Sequence, residues 1–192
     1  DGLVRDTKFS FKRGFYDSPF DLEISTETVG AKIRYTLDGS EPSESSGMIY
    51  DGPININDTT VLRAIAYKDN FTSTNVDTQT YLFPEKVAVQ TNSPVGYPSS
   101  WGGVSADYGM DNDPVDFRRA AGNANHSLSS AKSAIADSLK SITTISIVTD
   151  KDNIFDRSRG IYQNPSGRGS QWERPVSVEI INGEGADDYQ TN

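Results

Sequence analysis

A chain of 192 residues is long enough for one large domain or two small ones around a sizeable core. Its 27 acidic against 18 basic side chains leave a formal charge of −9, with no basic run, which argues against nucleic acid or an anionic membrane as partner. The absence of cysteine excludes disulfides, thiolate metal sites and cysteine nucleophiles, and no apolar run approaches the ~20 residues of a membrane-spanning helix.

From Lys8 to Phe83 short apolar runs alternate with turn residues at the spacing of an antiparallel β-sandwich, immunoglobulin- or fibronectin-like. The predicted strands are Lys8–Phe11, Phe20–Ser25, Lys32–Leu37, Met48–Tyr50 with Ile54–Ile56, Thr60–Tyr67 and Thr78–Phe83. In Lys32–Leu37 the apolar Ile33, Tyr35 and Leu37 alternate with Lys32, Arg34 and Thr36 and run into Asp38-Gly39, a dipeptide suited to a tight hairpin. Thr60–Tyr67 is largely apolar on both faces, the mark of a central strand.

The character changes near Phe83-Pro84, so the expected organisation is a sandwich over 1–84, an irregular connector over 85–126 and a second unit over 127–192. In the connector, aromatics stand among loop formers at Tyr97, Trp101 and Tyr108, where they would pin a long loop. Leu128, Ala131, Ile135, Leu139 and Ile142 then fall on one side of a helix with Ser127 or Ser129 as cap. Thr143–Thr149 is β-branched and reads as a strand, Asp150-Lys151-Asp152-Asn153 reads as a break, and Val176, Val178 and Ile180 alternate as a further strand. That strand enters the Gly-rich turn at Asn182-Gly183-Glu184-Gly185 and is expected to lack its return partner, so the chain is read as a piece of a longer protein.

YTLDGSEPS, YDGPI and VLRAIAYKDNF occur in that order between Tyr35 and Phe71, and the stretch from about Phe9 to Phe83 resembles the β-sandwich module of the C-terminal part of chitobiases and β-hexosaminidases. SIVTDKDNIFDRSRGIYQNPSGRGSQWERPVSVEI, within Ile145–Ile181, resembles the N-terminal edge of bacterial CotH kinase-like proteins, chiefly through GIYQNP and RGSQWERPVSVE. The double resemblance implies an incomplete CotH-like domain after the sandwich, with any Mg-ATP site downstream and no catalytic residue within the chain. It implies an extracellular or cell-surface location, partners among neighbouring domains of the same polypeptide or other surface proteins, and possible contact with glycans. Sugar stacking would fall to Tyr97, Trp101, Tyr108 or Trp172, with Tyr162 a further aromatic near a loop.

Local chemistry adds little to this. The Gly-rich run Pro165–Trp172 lacks a following Gly-Lys-Ser/Thr and a third glycine, and no lysine follows Lys151, so a structural turn is the better reading. Arg168 and Arg174 could serve a site completed elsewhere. His126 stands without a partner for acid–base work. The oxygen-rich clusters Asp111, Asp113, Asp116 and Asp150, Asp152 are candidate calcium ligands, although neither has the spacing of a twelve-residue calcium loop. Asn57, Asn70 and Asn125 match the glycosylation acceptor pattern. The expected function is a non-catalytic spacer that positions a downstream CotH-like domain, with an accessory part of an atypical kinase or a carbohydrate-binding module as alternatives.

Overall fold

The computed structural model describes residues 2–101, 103–110, 128–183 and 189–191. Its organising strand is β9 (Thr60–Tyr67), where Leu62, Ala64 and Ala66 are buried on one face and Arg63, Ile65 and Tyr67 on the other. A strand without a solvent face belongs inside a sheet. β9 lies at the centre of a five-stranded sheet, flanked by β6 (Lys32–Thr36) and β11 (Asp77–Leu82), with β7 (Met48–Ile49) and β3 (Gly14–Phe15) at the edges. The facing layer is built on β4 (Phe20–Leu22) and β5 (Ile24–Ser25), which follow one another along the chain; β4 pairs with β8 (Ile54–Ile56) and β5 with β2 (Lys8–Phe9).

Between the layers lie Leu22, Ile24, Ile54 and Ile56 from one side and Ile33, Leu62, Ala64, Ala66 and Tyr81 from the other, closed by Val4 and Phe83. Tyr16, Phe20, Tyr81 and Phe83 pack ring against ring at one end. The chain is mainly β and this part is a β-sandwich.

Two details differ from the sequence expectation. The sandwich is not wholly antiparallel: β3 runs parallel to β11, and β1 (Gly2–Leu3) runs parallel to β10 (Phe71–Thr72). Two-residue strands carry no readable alternation, and these are held by backbone bonds such as Tyr16 N–H to Leu82 O (2.7 Å) and Val4 N–H to Thr72 O (2.9 Å). Asp38-Gly39 opens a longer loop, since the next strand starts only at Met48. Gly39 does take the left-handed conformation, φ 78°, but the Asp38 carboxylate turns back to accept from Ser40 N–H (3.1 Å) and Oγ (2.6 Å), which stabilises a wider turn.

Past the sandwich, Pro84 occupies the first turn of the short helix α1 (Pro84–Val87), where its missing N–H costs nothing. The connector expected to be irregular holds part of this helix and a small hairpin, β12 (Ser100–Trp101) with β13 (Val104–Ser105). Helix α2 (Leu128–Ser141) packs against α1 and buries Ile135 and Ala136. Ser129 lies inside this helix, Ser127 falls outside the described residues, and Ile142 is exposed beyond its end.

A three-stranded antiparallel sheet follows: β14 (Thr144–Val148), β15 (Ser177–Ile181) and β16 (Tyr189–Thr191). The return strand expected to be missing is therefore present, with Val178 opposite Thr191 and Ile180 opposite Tyr189. It is short, and its polar Gln190 hides the alternation that would reveal it. The segment read as a break is the helix α3 (Lys151–Phe155), with Asp150 at its cap position and Asp152 in its first turn. Acidic side chains favour a helix N-terminus, so residues that look like turn formers here start a helix.

Candidate functional site

The residues with most polar chemistry gather where the C-terminal sheet meets the sandwich. Thr78 and Thr80 of β11 share a face with Arg63 and Val61 of β9, as the register Thr78 opposite Arg63 and Thr80 opposite Val61 requires. This is the outer face of the five-stranded sheet. β15 turns Ser177, Glu179 and Ile181 toward it, all at 1% exposure or less, and β14 turns Ser146 and Val148 the same way.

Glu179 is the hub. One carboxylate oxygen accepts from Thr80 N–H (3.1 Å), the other accepts from Thr80 Oγ1, and Arg13 Nη1 lies 3.3 Å from the first. Arg13 Nη2 donates to Gln190 Oε1 of β16, and Ser146 Oγ shares a 2.8 Å hydrogen bond with Thr80 Oγ1. A carboxylate at zero exposure is tolerated only when paired and hydrogen-bonded in this way.

The turn after β6 adds a second line of contact. Asp150 Oδ1 accepts from Glu41 N–H (2.8 Å), and Lys151 Nζ lies 3.6 Å from Asp38. Asp38 is held below the usual carboxylate range, first by the Ser40 hydroxyl and further by Lys151. Gly39 stands against Val61 and Val148, where a Cβ would lie 3.3 Å from Val148 Cγ1. The Asp38–Glu41 turn of the YTLDGSEPS stretch thus touches the C-terminal unit directly.

Three sugar-stacking candidates come together. Trp101 lies 5.3 Å from Tyr108 and 5.6 Å from both Phe155 and Tyr162, measured between ring centroids, while Tyr97 lies 5.6 Å from Tyr108. Packing pushes the Tyr108 hydroxyl pKa upward by desolvation, and that hydroxyl donates to Pro98 O at 2.9 Å. Most of these contacts are edge-on or tilted, the geometry of rings packing on one another, and they bind the 97–108 loop to α3. Tyr97 and Tyr162 remain exposed at the rim, with Lys151 Nζ 4.6 Å from the Tyr97 ring centre. Beside Tyr97 and Tyr108 opens a cleft of about 580 Å³, lined also by Asp58, Lys86, Gln90 and Thr91.

Trp172 is elsewhere, on the loop between α3 and β15. Gly167 abuts its ring so closely that a Cβ would strike it, and the Arg174 guanidinium stands 5.5 Å from the ring centre. Arg174 donates to the carbonyls of Arg159, Gln171 and Glu173, and Arg168 to those of Pro165 and Gly167, so both guanidinium groups tie this loop to itself. Gly160 meets the backbone of Ile154 and Asp156 where no Cβ fits. The Asp156 carboxyl is held low by the Ser158 hydroxyl and by the N–H groups of Ser158 and Arg159.

Of the calcium candidates, Asp152 pairs with Arg159 at 2.9 Å and Asp150 serves Glu41. Asp111, Asp113 and Asp116 lie outside the described residues, as do His126 and Asn125. Among the described residues no group of three or more His, Cys, Asp or Glu side chains could hold a metal ion. Asn57 and Asn70 are exposed.

Sequence reasoning passed over Arg13, Thr80, Glu179 and Gln190. One signal was available: Glu179 is a lone carboxylate inside the β-branched run Val176–Ile181.

This geometry defines a β-sandwich with a second unit docked on its outer face. Residues 11–80 match the family model of the chitobiase/beta-hexosaminidase C-terminal domain, a non-catalytic accessory domain. The matched span covers less than half of the chain and stops before the segment with CotH-like resemblance. No curated protein matches the chain. Among the described residues no helix is long and apolar enough to cross a membrane.

Proposed function

We propose that this chain is a non-catalytic spacer of a secreted or cell-surface bacterial multidomain protein, and that it holds a following CotH-like domain at a set angle to the sandwich. The division into 1–84, 85–126 and 127–192 belongs to this reading. The observation that carries it is Glu179, fully buried and engaged with Thr80 and Arg13. A flexible tether needs no such contact. A buried charge answered by a few specific donors has one favourable register, and sliding the C-terminal sheet would leave it unpaired at high cost.

The cysteine-free chain allows a direct test. Spin labels at Asp51→Cys and Gln171→Cys, both exposed, should give one narrow distance distribution by pulsed electron resonance. A broad distribution in the otherwise unaltered protein would defeat the positioning role.

A second reading, glycan contact, is favoured by the cleft beside Tyr97 and Tyr108, which joins aromatic walls to Asp58, Lys86, Gln90 and Thr91. Glycan arrays with Tyr97→Ala as control test it: array signal that persists unchanged in the variant, or no signal at all, removes this reading.

A further inference from the structure

The C-terminal sheet is inverted relative to the usual arrangement, in which a sheet buries its apolar face against its neighbour. Its more polar face, with Ser146, Ser177, Glu179 and Gln190 beside Val148 and Ile181, is turned to the sandwich. Its other face carries Ile145 and Ile147 from β14, Val178 and Ile180 from β15, and Tyr189 from β16. The register brings these together, with Ile145 opposite Ile180, Ile147 opposite Val178 and Ile180 opposite Tyr189. Ile145, Ile147 and Tyr189 are 61%, 65% and 61% exposed. Of the apolar side chains of this sheet only Val148 and Ile181 lie on the sandwich side, and five gathered on the other face are the pattern of a sheet that has a second layer to cover it.

The extent of the face distinguishes between possible occupants. Strands about 4.8 Å apart, two of five residues and one of three, rising about 3.4 Å per residue, span roughly 210 Å². A stable complex between separate chains hides about 800 Å² on each partner. A second copy of the chain would therefore hold too weakly, and the net charge of −9 on each copy adds repulsion. A layer carried by the same polypeptide has no such difficulty, because tethering supplies an effective concentration of about millimolar. The five side chains carry no charge, so the covering surface is apolar as well.

We infer that the face formed by Ile145, Ile147, Val178, Ile180 and Tyr189 is the docking surface for an apolar layer of the following domain of the same polypeptide. This rests on the reading that such a domain exists. The sandwich then grips the sheet by its polar side and the following domain by its apolar side, and the sheet transmits the orientation of one to the other.

The test compares the 192-residue chain with the full-length product of its source by amide hydrogen exchange, with Ile147→Lys made in both. The inference requires amides of 144–148 and 177–181 to exchange at least about tenfold more slowly in the full-length protein. Ile147→Lys should remove that gain, while in the 192-residue chain it leaves the melting temperature unchanged and lowers binding of an apolar dye. Equal protection in both proteins would overturn the docking surface and leave the positioning role standing. A concentration-dependent dimer of the 192-residue chain that Ile147→Lys abolishes would overturn it in favour of a second copy. A natural product that ends at Asn192 would overturn the docking surface together with the reading on which it rests.

Discussion

The sandwich interior and the junction with the C-terminal sheet are held by opposite means. In the interior Leu22, Ile56, Leu62, Ala64 and Ala66 are at or below 1% exposure and no charge is present among the core residues. At the junction, beside the buried Val148 and Ile181, a fully buried carboxylate, two hydroxyls, an arginine and a glutamine do the joining. Apolar burial is strong but tolerant of sliding, since its free energy follows area more than angle. Hydrogen bonds to a buried charge depend on register. The interior accounts for the stability of the module, and the junction accounts for where the next unit sits.

Removing a partner from the polar side should have the largest effect. Glu179→Ala leaves Arg13 nearly buried without its carboxylate and Thr80 N–H without an acceptor, a loss of about 3–5 kcal/mol. Chemical denaturation gives the magnitude, and hydrogen exchange gives the location: β14 and β15 should lose protection while β6 and β9 keep theirs. Uniform loss across both would mean that the two regions form one cooperative unit, and the contrast would fail. Leu62→Ala is the complementary change on the apolar side. It should cost about 2–4 kcal/mol through lost transfer energy and an unfilled cavity, with protection falling throughout the sandwich.

These two substitutions also show what could be read from the chain. Leu62 is visible in the sequence because Thr60–Tyr67 is apolar on both faces, and alternation is a local property of eight consecutive residues. Glu179 is not, because its partners Arg13 and Thr80 lie 166 and 99 residues away in the chain. Reading Val176, Val178 and Ile180 as a strand correctly found β15, and the natural inference places that apolar face inward. The structure turns it outward, a choice made by long-range pairing and invisible to periodicity. The aromatics of the connector were legible as loop anchors from composition, whereas their common meeting point on Phe155 was not. Two-residue strands such as Gly14–Phe15 leave no trace of their own; their pairing follows from neighbours already in place.

A smaller effect of opposite sign sharpens the contrast. Thr78 Oγ1 is buried on the junction side of β11 with no hydrogen-bond partner among the described residues. Thr78→Val keeps the shape and removes an unsatisfied hydroxyl, so it should stabilise the protein by about 1 kcal/mol in denaturant titration. A loss of similar size would show that this hydroxyl is hydrated or bonded in solution, and the polar network would extend further than Glu179 and Thr80.

The smallest expected effects concern pH, and here two aspartates oppose each other. Burial raises the pKa of Asp77, although the Thr7 hydroxyl that donates to it pulls the other way. A carboxyl raised on folding favours the native state most when protonated, and that contribution is lost as pH rises through its folded value. Asp38 is lowered, chiefly by the Ser40 hydroxyl, so its contribution is present above the ordinary aspartate value of about 3.9 and is lost as pH falls through the lower folded value. Asp77→Asn, whose amide oxygen still accepts from Thr7, should therefore raise the melting temperature at pH 7, with the gain shrinking toward pH 4. Asp38→Asn should lower it at pH 7 and converge with the wild type in acid, where the Lys151 contact also loses its charge partner. Melting curves from pH 3 to 7 on both variants decide the matter: an unchanged or raised melting temperature of Asp38→Asn at pH 7 would mean that the Asp38 carboxylate contributes nothing to holding the C-terminal unit, and a lowered one for Asp77→Asn would mean that the Thr7 bond outweighs the burial of Asp77.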